Sequence, residues 1–179
     1  MQTHNFILVI DVETTGFNPS KNACIELGAV LMDKSLKVVK EFTSLVAPWP
    51  GAEFFEPSML VNQINSDDLT SAPSIEEVVT RFCDTFLQYE SSPLLAGWNV
   101  WFDVGFVRNL FERTNQQWPF GYRFLDVQSI VCFHNHFAKL SQQDAVSQML
   151  HEIQAHRALA DARHTSRLLQ LVTNCFAPL

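Results

Sequence analysis

The segment Phe6-Ile-Leu-Val-Ile-Asp-Val-Glu-Thr-Thr-Gly16 joins an apolar, β-branched run to two acidic residues and a glycine. Its first five residues, 6–10, predict a buried strand. Since side chains alternate along a strand, Asp11 and Glu13 at its end are expected to project from one face. Two carboxylates so close repel each other unless a cation lies between them, and such hard oxygen ligands suit magnesium or manganese.

Thr14, Thr15 and Gly16 follow the acids and predict a tight turn, in which backbone N–H groups could contact a substrate hydroxyl or phosphate. An isolated D-x-E at a strand end is more often a turn with solvated acids than a metal site. The five fixed letters of D-x-E-T-T-G are more specific, because at about 1/20 per position they arise by chance in a chain of this length on the order of once in twenty thousand.

Outward from this segment, apolar patterns predict four more strands, at residues 25–32, 38–46, 94–98 and 124–127. Prolines and a glycine within 48–51 break the strand pattern, so residues 53–70 are expected to form a loop with short helical turns. Helical periodicity begins after Ser74, which has Glu77 at the capping-box spacing, and returns at residues 102–113, 129–140, 141–153 and 158–176. This order predicts a mixed sheet flanked by helices.

The composition is typical of a globular chain, with 179 residues, 47% of them hydrophobic and 17% charged. This length favours one domain over residues 1–179. No apolar run is long enough for a membrane span, and residues 6–10 lack the basic leader of a signal peptide. The four cysteines form no C-x-x-C pair, so we expect reduced thiols in a cytoplasmic protein. Cys132, His134 and His136 match no zinc motif.

Three motifs together resemble those of one enzyme family. D-V-E-T-T-G at 11–16 resembles the first motif of the DEDDh 3′-to-5′ exonuclease family, which includes proofreading subunits of bacterial replicative polymerases and ribonuclease T. The second motif, H-N-x-x-F-D, is similar to Trp98-Asn-Val-Trp-Phe-Asp103, and the third, H-x-A-x-x-D, to His156-Arg-Ala-Leu-Ala-Asp161. The motifs occur in the family's order and span residues 11 to 161, which makes their combination specific.

The resemblance implies a ribonuclease H-like α/β fold, with a five-stranded mixed sheet and helices on both faces. It implies that two Mg²⁺ or Mn²⁺ ions are held by four carboxylates, those of Asp11, Glu13, Asp103 and Asp161. Two ions about 3.5–4 Å apart activate a water and stabilise the leaving oxygen. His156, in the loop before the last helix, is then the general base, since imidazole exchanges protons near neutral pH. The substrate implied is a single-stranded 3′ end, and the products are nucleoside 5′-monophosphates.

The net charge of −7 and the pI near 5.2 argue against a protein that binds nucleic acid through a broad basic face. An enzyme that holds cations with carboxylates can still be acidic, because the cations and a few local basic groups contact the phosphates. Weak non-specific binding at physiological salt is therefore expected. Arg108, Arg157 and Arg163 could contact phosphates, but exposed, solvated arginines are the simpler interpretation of most of them.

Residues beyond the acids are candidates for substrate contacts, namely Thr14, Thr15, Phe17 and Asn99. Phe17 could stack on a terminal base or belong to the core of a chain with 15 phenylalanines. Trp101, by contrast, is expected in the core. The chain departs from the family at Trp98, where a histidine is usual, and at Val61-Asn-Gln-Ile-Asn65, where Asn62 and Gln63 replace the His and Gly of H-G-I-T.

Several functions remain open from the sequence. The form of the first motif favours DNA as substrate, and the alternative with the same fold is an enzyme that trims RNA or degrades short oligoribonucleotides. A non-catalytic module that binds nucleic acid ends would have lost a carboxylate or the histidine, and all five are present. A metal-dependent phosphatase would need another ligand arrangement. The partner expected is single-stranded nucleic acid, and the chain could be a homodimer or a polymerase-associated subunit.

Overall fold

Five strands form one mixed sheet in the computed structural model, which describes residues 4–137 and 156–176. The strands are β1 (Phe6–Thr14), β2 (Cys24–Asp33), β3 (Val38–Leu45), β4 (Leu94–Gly97) and β5 (Phe124–Asp126). Their order in the sheet is β3-β2-β1-β4-β5. β1 pairs antiparallel with β2 and parallel with β4, so it is the central strand. The predicted five-stranded mixed sheet is confirmed.

Within the described residues, six helices surround this sheet, namely α1 (Glu56–Asn62), α2 (Ser66–Thr70), α3 (Ile75–Phe86), α4 (Val100–Arg113), α5 (Val127–Phe137) and α6 (Ala158–Phe176). The Ser74 side chain accepts a hydrogen bond from the Glu77 N–H, which confirms the predicted cap of α3. The predicted loop at 53–70 contains two short helices. The helix predicted at 141–153 and the end of the one predicted at 129–140 lie outside the described residues. Among the described residues, no helix is both long and apolar enough to cross a bilayer.

Helices cover both faces of the sheet because β1 is apolar on both. Leu8 and Ile10 pack in a core formed with α3 and α4, whereas Val9, on the opposite face, packs in a core formed with α5 and α6. Asp11 and Glu13 continue the alternation that begins with Val9. Both acids are therefore on the face that α6 covers.

Two expectations are corrected. The strand predicted at residues 6–10 extends to Thr14, because β2 remains paired with it beyond residue 10; Asp11 and Glu13 lie near its end, as expected. Trp101 was expected in the core but is 63% exposed. Its ring packs edge-on against Phe124 of β5, the edge strand of the sheet, with centroids 4.9 Å apart.

Candidate active site

A cavity of about 300 Å³ opens beside the C-terminal part of β1 and brings the three sequence motifs together. β1 contributes Asp11 and Glu13, the β4–α4 connection contributes residues 98–103, and the segment entering α6 contributes His156 and Asp161. Among the residues that the structure describes, its lining is Asp11, Val12, Glu13, Trp98, Asn99, Phe102, Asp103, Gln128, His156, Asp161 and Thr165. Residues up to 154 positions apart in the chain, Asp11 and Thr165, thus line one small cavity.

Asp11, Glu13 and Asp161 form the closest acidic group. One carboxylate oxygen from each lies within 4.8 Å of the others. Strand alternation aligns the first two, and the first turn of α6 presents Asp161 opposite them. Oxygen donors so arranged can share one small divalent cation, and a single cation offsets the repulsion among three carboxylates.

Asp103 completes the acidic site from the other side of β1. It lies in the first turn of α4, is buried, and accepts a hydrogen bond of 3.0 Å from the Val12 backbone N–H. This bond and the positive end of the α4 dipole both favour its charged form. The structure therefore gathers three of the four predicted ligands within reach of one ion and anchors the fourth beside Asp11.

Burial and mutual repulsion disfavour negative charge in this site. Burial raises the pKa of Asp11 well above its ordinary value, and the charges of Asp103, Glu13 and Asp161 raise it further. Burial, Asp161 and Glu26 raise the pKa of Glu13 from 4.5 to about 7. Burial likewise raises the pKa of Asp103, although its bond from Val12 works in the opposite direction. Because a divalent cation would stabilise all these carboxylates, the residues present fit such an ion.

His156 lies in the bend that precedes α6, where it lines the cavity. Its φ of 49° is in the left-handed region, which turns the chain sharply just before the helix. Asp161 lies five residues further on, in the first turn of α6, and donates its backbone N–H to the Arg157 carbonyl at 3.0 Å. One short segment therefore delivers both an imidazole and a carboxylate to the cavity.

The structure separates the two threonines of the first motif. The Thr14 hydroxyl donates to the Gly16 carbonyl at 2.7 Å, and Thr14 lines a second cavity. Thr15 is fully buried, and its hydroxyl donates to the Glu53 carbonyl and accepts from the Ala23 N–H. Thr15 lies beneath the turn and not in the acidic cavity, so its hydroxyl holds the turn and is not placed to contact a substrate.

The second cavity, of about 250 Å³, adjoins the acidic one and shares three lining residues with it, Val12, Glu13 and Phe102. Phe17 lies on its rim, is 71% exposed, and packs edge-on against Phe55 with centroids 5.6 Å apart. Phe17 is therefore a surface residue and does not belong to the core, which was the alternative left open by the sequence. We call this cavity the aromatic slot.

Residues at the family's altered positions have identifiable roles. Asn62, where histidine is usual, is buried in the slot wall, donates to the Thr14 carbonyl at 3.2 Å and accepts from the Ile64 N–H. It therefore ties α1 to the end of β1. Trp98 and Asn99 both line the acidic cavity, and Asn99 begins α4 in a left-handed conformation without capping it through its side chain.

Sequence reasoning missed part of the cavity wall. Phe102 adjoins Asp103 within the second motif and could have been found there. Gln128 and Thr165 lie outside all three motifs, and no local pattern marks them. The three arginines are exposed, as expected for most of them, and each also has an intramolecular partner: Arg157 pairs with Glu26, Arg163 with Glu41, and Arg108 stacks 4.9 Å from the ring centre of Trp118.

Comparison with known proteins shows the family of this chain. A family model described as an exonuclease, of the RNase T type, matches residues 8–169 and so includes all three motifs. The chain belongs to this exonuclease family, and the resemblance to the DEDDh exonucleases is confirmed. The DNA polymerase III PolC-type of Thermotoga petrophila is 28% identical over 163 residues, which are 90% of this chain and 11% of the polymerase. The chain spans between 7% and 11% of the length of such curated relatives.

Solved structures share the fold at low sequence identity. The zinc-bound complex of E. coli exonuclease I with single-stranded DNA covers 97% of this chain and 41% of its own chain, with a TM-score of 0.77 and 18% identity. The nuclease domain of 3′hExo, a DEDDh family member bound to rAMP, covers 97% and 94%, with a TM-score of 0.72 and 18% identity. The predicted ribonuclease H-like α/β class is thereby confirmed.

Proposed function

We propose that residues 1–179 form one exonuclease domain that removes nucleotides from the 3′ end of single-stranded DNA and releases nucleoside 5′-monophosphates. The observation that carries this proposal is the convergence of four carboxylates and His156 on one cavity that opens into an aromatic slot. The acids are suited to bind cations, the imidazole to accept a proton, and the slot to receive a base.

Asp11, Glu13, Asp103 and Asp161 would hold two Mg²⁺ or Mn²⁺ ions, which make a water more acidic and stabilise charge on the attacked phosphate and leaving oxygen. Both ions suit all-oxygen donors such as these. The Val12 N–H holds Oδ1 of Asp103, and this hydrogen bond also fixes the orientation of the second carboxylate oxygen, which is the one free to bind an ion. His156 accepts the proton of the attacking water at its imidazole, from a bend at the cavity wall.

The aromatic slot would bind the terminal nucleoside. Phe17 offers an exposed ring face at the rim, and stacking of a base on an aromatic ring is worth about 1–3 kcal/mol without regard to sequence. Thr14, Val61 and Phe102 form the adjoining wall. Since the slot and the acidic cavity share Val12, Glu13 and Phe102, a base in the slot would place its phosphate beside the acids.

DNA is the favoured substrate because curated relatives are DNA polymerases and exonuclease I was solved with single-stranded DNA. RNA is the second candidate, since the 3′hExo nuclease domain, which this chain covers over 94% of its length, was solved with rAMP. A polymerase-associated role in the cytoplasm belongs to the same proposal, supported by the polymerase relatives. A homodimer is the alternative assembly.

A product-ladder assay tests the proposal. The chain is incubated with Mn²⁺ and matched DNA and RNA oligonucleotides, single- and double-stranded, labelled at the 5′ end. We expect a ladder that shortens one nucleotide at a time, fastest on single-stranded DNA, and a block by a 3′-phosphate. His156→Ala should lower turnover by about 10²–10⁴-fold. Equal rates on blocked and free ends would instead identify an endonuclease, and faster RNA degradation would identify the second candidate.

A further inference from the structure

The carboxylate of Glu26 is engaged on both oxygens by the segment that leads into α6. Arg157 donates from Nη2 to Oε1 at 2.8 Å and from Nε to Oε2 at 3.0 Å, and the Ala158 backbone N–H donates to Oε2 at 3.1 Å. The Glu26 side chain is 4% exposed and that of Arg157 is 57% exposed. A planar guanidinium and a backbone N–H together hold this buried carboxylate in one geometry.

The sheet register places this contact beside the acidic site. Glu26 is the cross-strand neighbour of Glu13, and Gly28 is that of Asp11. Residues directly opposite in an antiparallel pair project from the same face, so Glu26 and Gly28 both face α6. The start of α6 therefore rests on the immediate neighbours of the two β1 acids.

We infer that Glu26 is a positioning residue for hydrolysis, which acts through Arg157 and the Ala158 amide to hold His156 in the acidic cavity. This inference rests on the proposed function. His156 directly precedes Arg157, and its backbone has a φ of 49°, in the left-handed region that residues other than glycine rarely adopt. Such a conformation persists only where the surrounding structure stabilises it. Here the hydrogen bonds from Arg157 and from the Ala158 N–H to Glu26 fix the two residues that follow His156.

Glu26 is not itself a further member of the acidic group. Among the described residues, the acidic oxygens close enough to share an ion belong to Asp11, Glu13 and Asp161. The oxygens of Glu26 are already occupied by Arg157 and Ala158, and its charge is balanced by the guanidinium. Two adjacent glutamates on paired strands thus differ in role: Glu13 lines the cavity, and Glu26 fastens the segment beside it.

The same helix provides a matched control. Arg163 donates from Nε to Glu41 at 2.9 Å and a second time from Nη2, so this pair also joins α6 to the sheet through two hydrogen bonds. Neither Arg163 nor Glu41 lines the acidic cavity. A variant of Glu41 therefore weakens the attachment of α6 without touching the segment around His156.

The test compares wild type, Glu26→Gln and Glu41→Gln in the full chain, with Mn²⁺ and a 3′-hydroxyl DNA oligonucleotide. Glu26→Gln should lower kcat about 10- to 100-fold and leave KM within about 2-fold, because a base displaced by about an ångström loses that much rate without losing substrate contacts. Glu41→Gln should keep the wild-type kcat. In a His156→Ala background, Glu26→Gln should lower kcat no further, since both changes remove the same contribution.

Two further measurements do not depend on activity. Hydrogen exchange of the Ala158 amide, followed by NMR, should be faster in Glu26→Gln than in wild type, because amide oxygen is a weaker acceptor than carboxylate. The affinity for Mn²⁺ should change far less than kcat, since Asp161 remains anchored by the rest of α6 and the four acids of the cavity are unaltered. A purely structural role for Glu26 would lower stability and metal affinity together.

Wild-type kcat in Glu26→Gln would overturn the inference, as would an equal loss in Glu41→Gln or additive losses with His156→Ala. If Glu26→Gln does not fold, Arg157→Lys replaces it under the same criteria, because lysine keeps the charge but not the bidentate geometry. An inactive wild-type chain would overturn the proposed function instead. The exchange rate of the Ala158 amide would still show whether Glu26 holds that segment.

Discussion

Gly28 lies opposite Asp11 in the β1–β2 ladder, and the backbone of α6 fills the space that a side chain at position 28 would need. A Cβ on Gly28 would lie 2.2 Å from the carbonyl carbon of Ala158. Because α6 approaches β2 so closely at Gly28, Asp161 on α6 lies near Asp11 on the neighbouring strand β1. The acidic group therefore depends on a residue that has no side chain.

Gly28→Ala should displace the start of α6 and so affect stability and metal binding together. We expect the free energy of unfolding to fall by about 1–3 kcal/mol, as for other overpacked sites. The Mn²⁺ affinity should fall as well, because Asp161 moves away from Asp11. Urea denaturation and calorimetric titration measure the two effects. Gly121→Ala is the control, since a Cβ there meets nothing within 4 Å; equal behaviour of the two variants would contradict the prediction.

The raised pKa of Glu13 should make the metal-free protein less stable as pH rises. Its pKa is 4.5 in the ordinary state and about 7 in the folded protein, so the folded state binds the proton more tightly. The stability from this group is fully present below about pH 4.5 and is lost as pH rises through about 7. The Tm of Glu13→Gln should therefore exceed that of wild type near pH 8 and approach it near pH 4.

Thermal melts in EDTA measure the Tm of wild type and of Glu13→Gln at each pH. Because the two proteins share all their other titrating groups, the difference between their Tm values isolates the contribution of Glu13. Addition of Mn²⁺ near pH 8 should raise the Tm of wild type, because the ion binds the folded state. It should raise the Tm of Glu13→Gln less, since a carboxylate ligand has been replaced by an amide. A Tm difference that does not change with pH would show that the Glu13 carboxyl titrates normally in the folded protein.

Phe17→Ala should weaken substrate binding and largely spare the chemical step. Loss of about 1–3 kcal/mol of stacking corresponds to a KM higher by about 5- to 150-fold. The value of kcat should change little, because the ring is on the rim of the slot and not among the acids. Steady-state kinetics on a short single strand measures both. Tyr122→Ala is the control, since Tyr122 is 76% exposed and lines neither cavity.

Gln63→Gly should stabilise the fold. Gln63 ends α1 with a φ of 53°, in the left-handed region, where glycine avoids a penalty of about 1–2 kcal/mol. Part of this gain is offset because glycine makes the unfolded chain more flexible, so the net gain should be about 0.5–1 kcal/mol. Urea denaturation measures it. Gln117→Gly is the control. Gln117 is an exposed loop residue, so glycine there only makes the unfolded chain more flexible and should lower stability.

Much of the site could be predicted because its residues lie in local patterns. Alternation along β1 is a local property, and it places Asp11 and Glu13 on one face in whichever sheet the strand joins. The cap at Ser74 and the position of Asp161 near the start of a helix follow from neighbouring residues in the same way. The exposure of Trp101 was not predicted, because periodicity does not show which side of α4 meets the sheet.

The sequence alone determined which residues are candidates for the proposed chemistry, since three short motifs name the acids and the histidine. The tertiary structure alone decided what holds them together. Arg157 meets Glu26 across 131 positions of sequence, and Asn62 reaches Thr14 across 48. Such contacts depend on how strands pair and helices pack, which brings distant residues into contact without leaving any local pattern in the chain. The packing of α6 against Gly28 and Glu26 is also a contact between distant residues that no local pattern predicts.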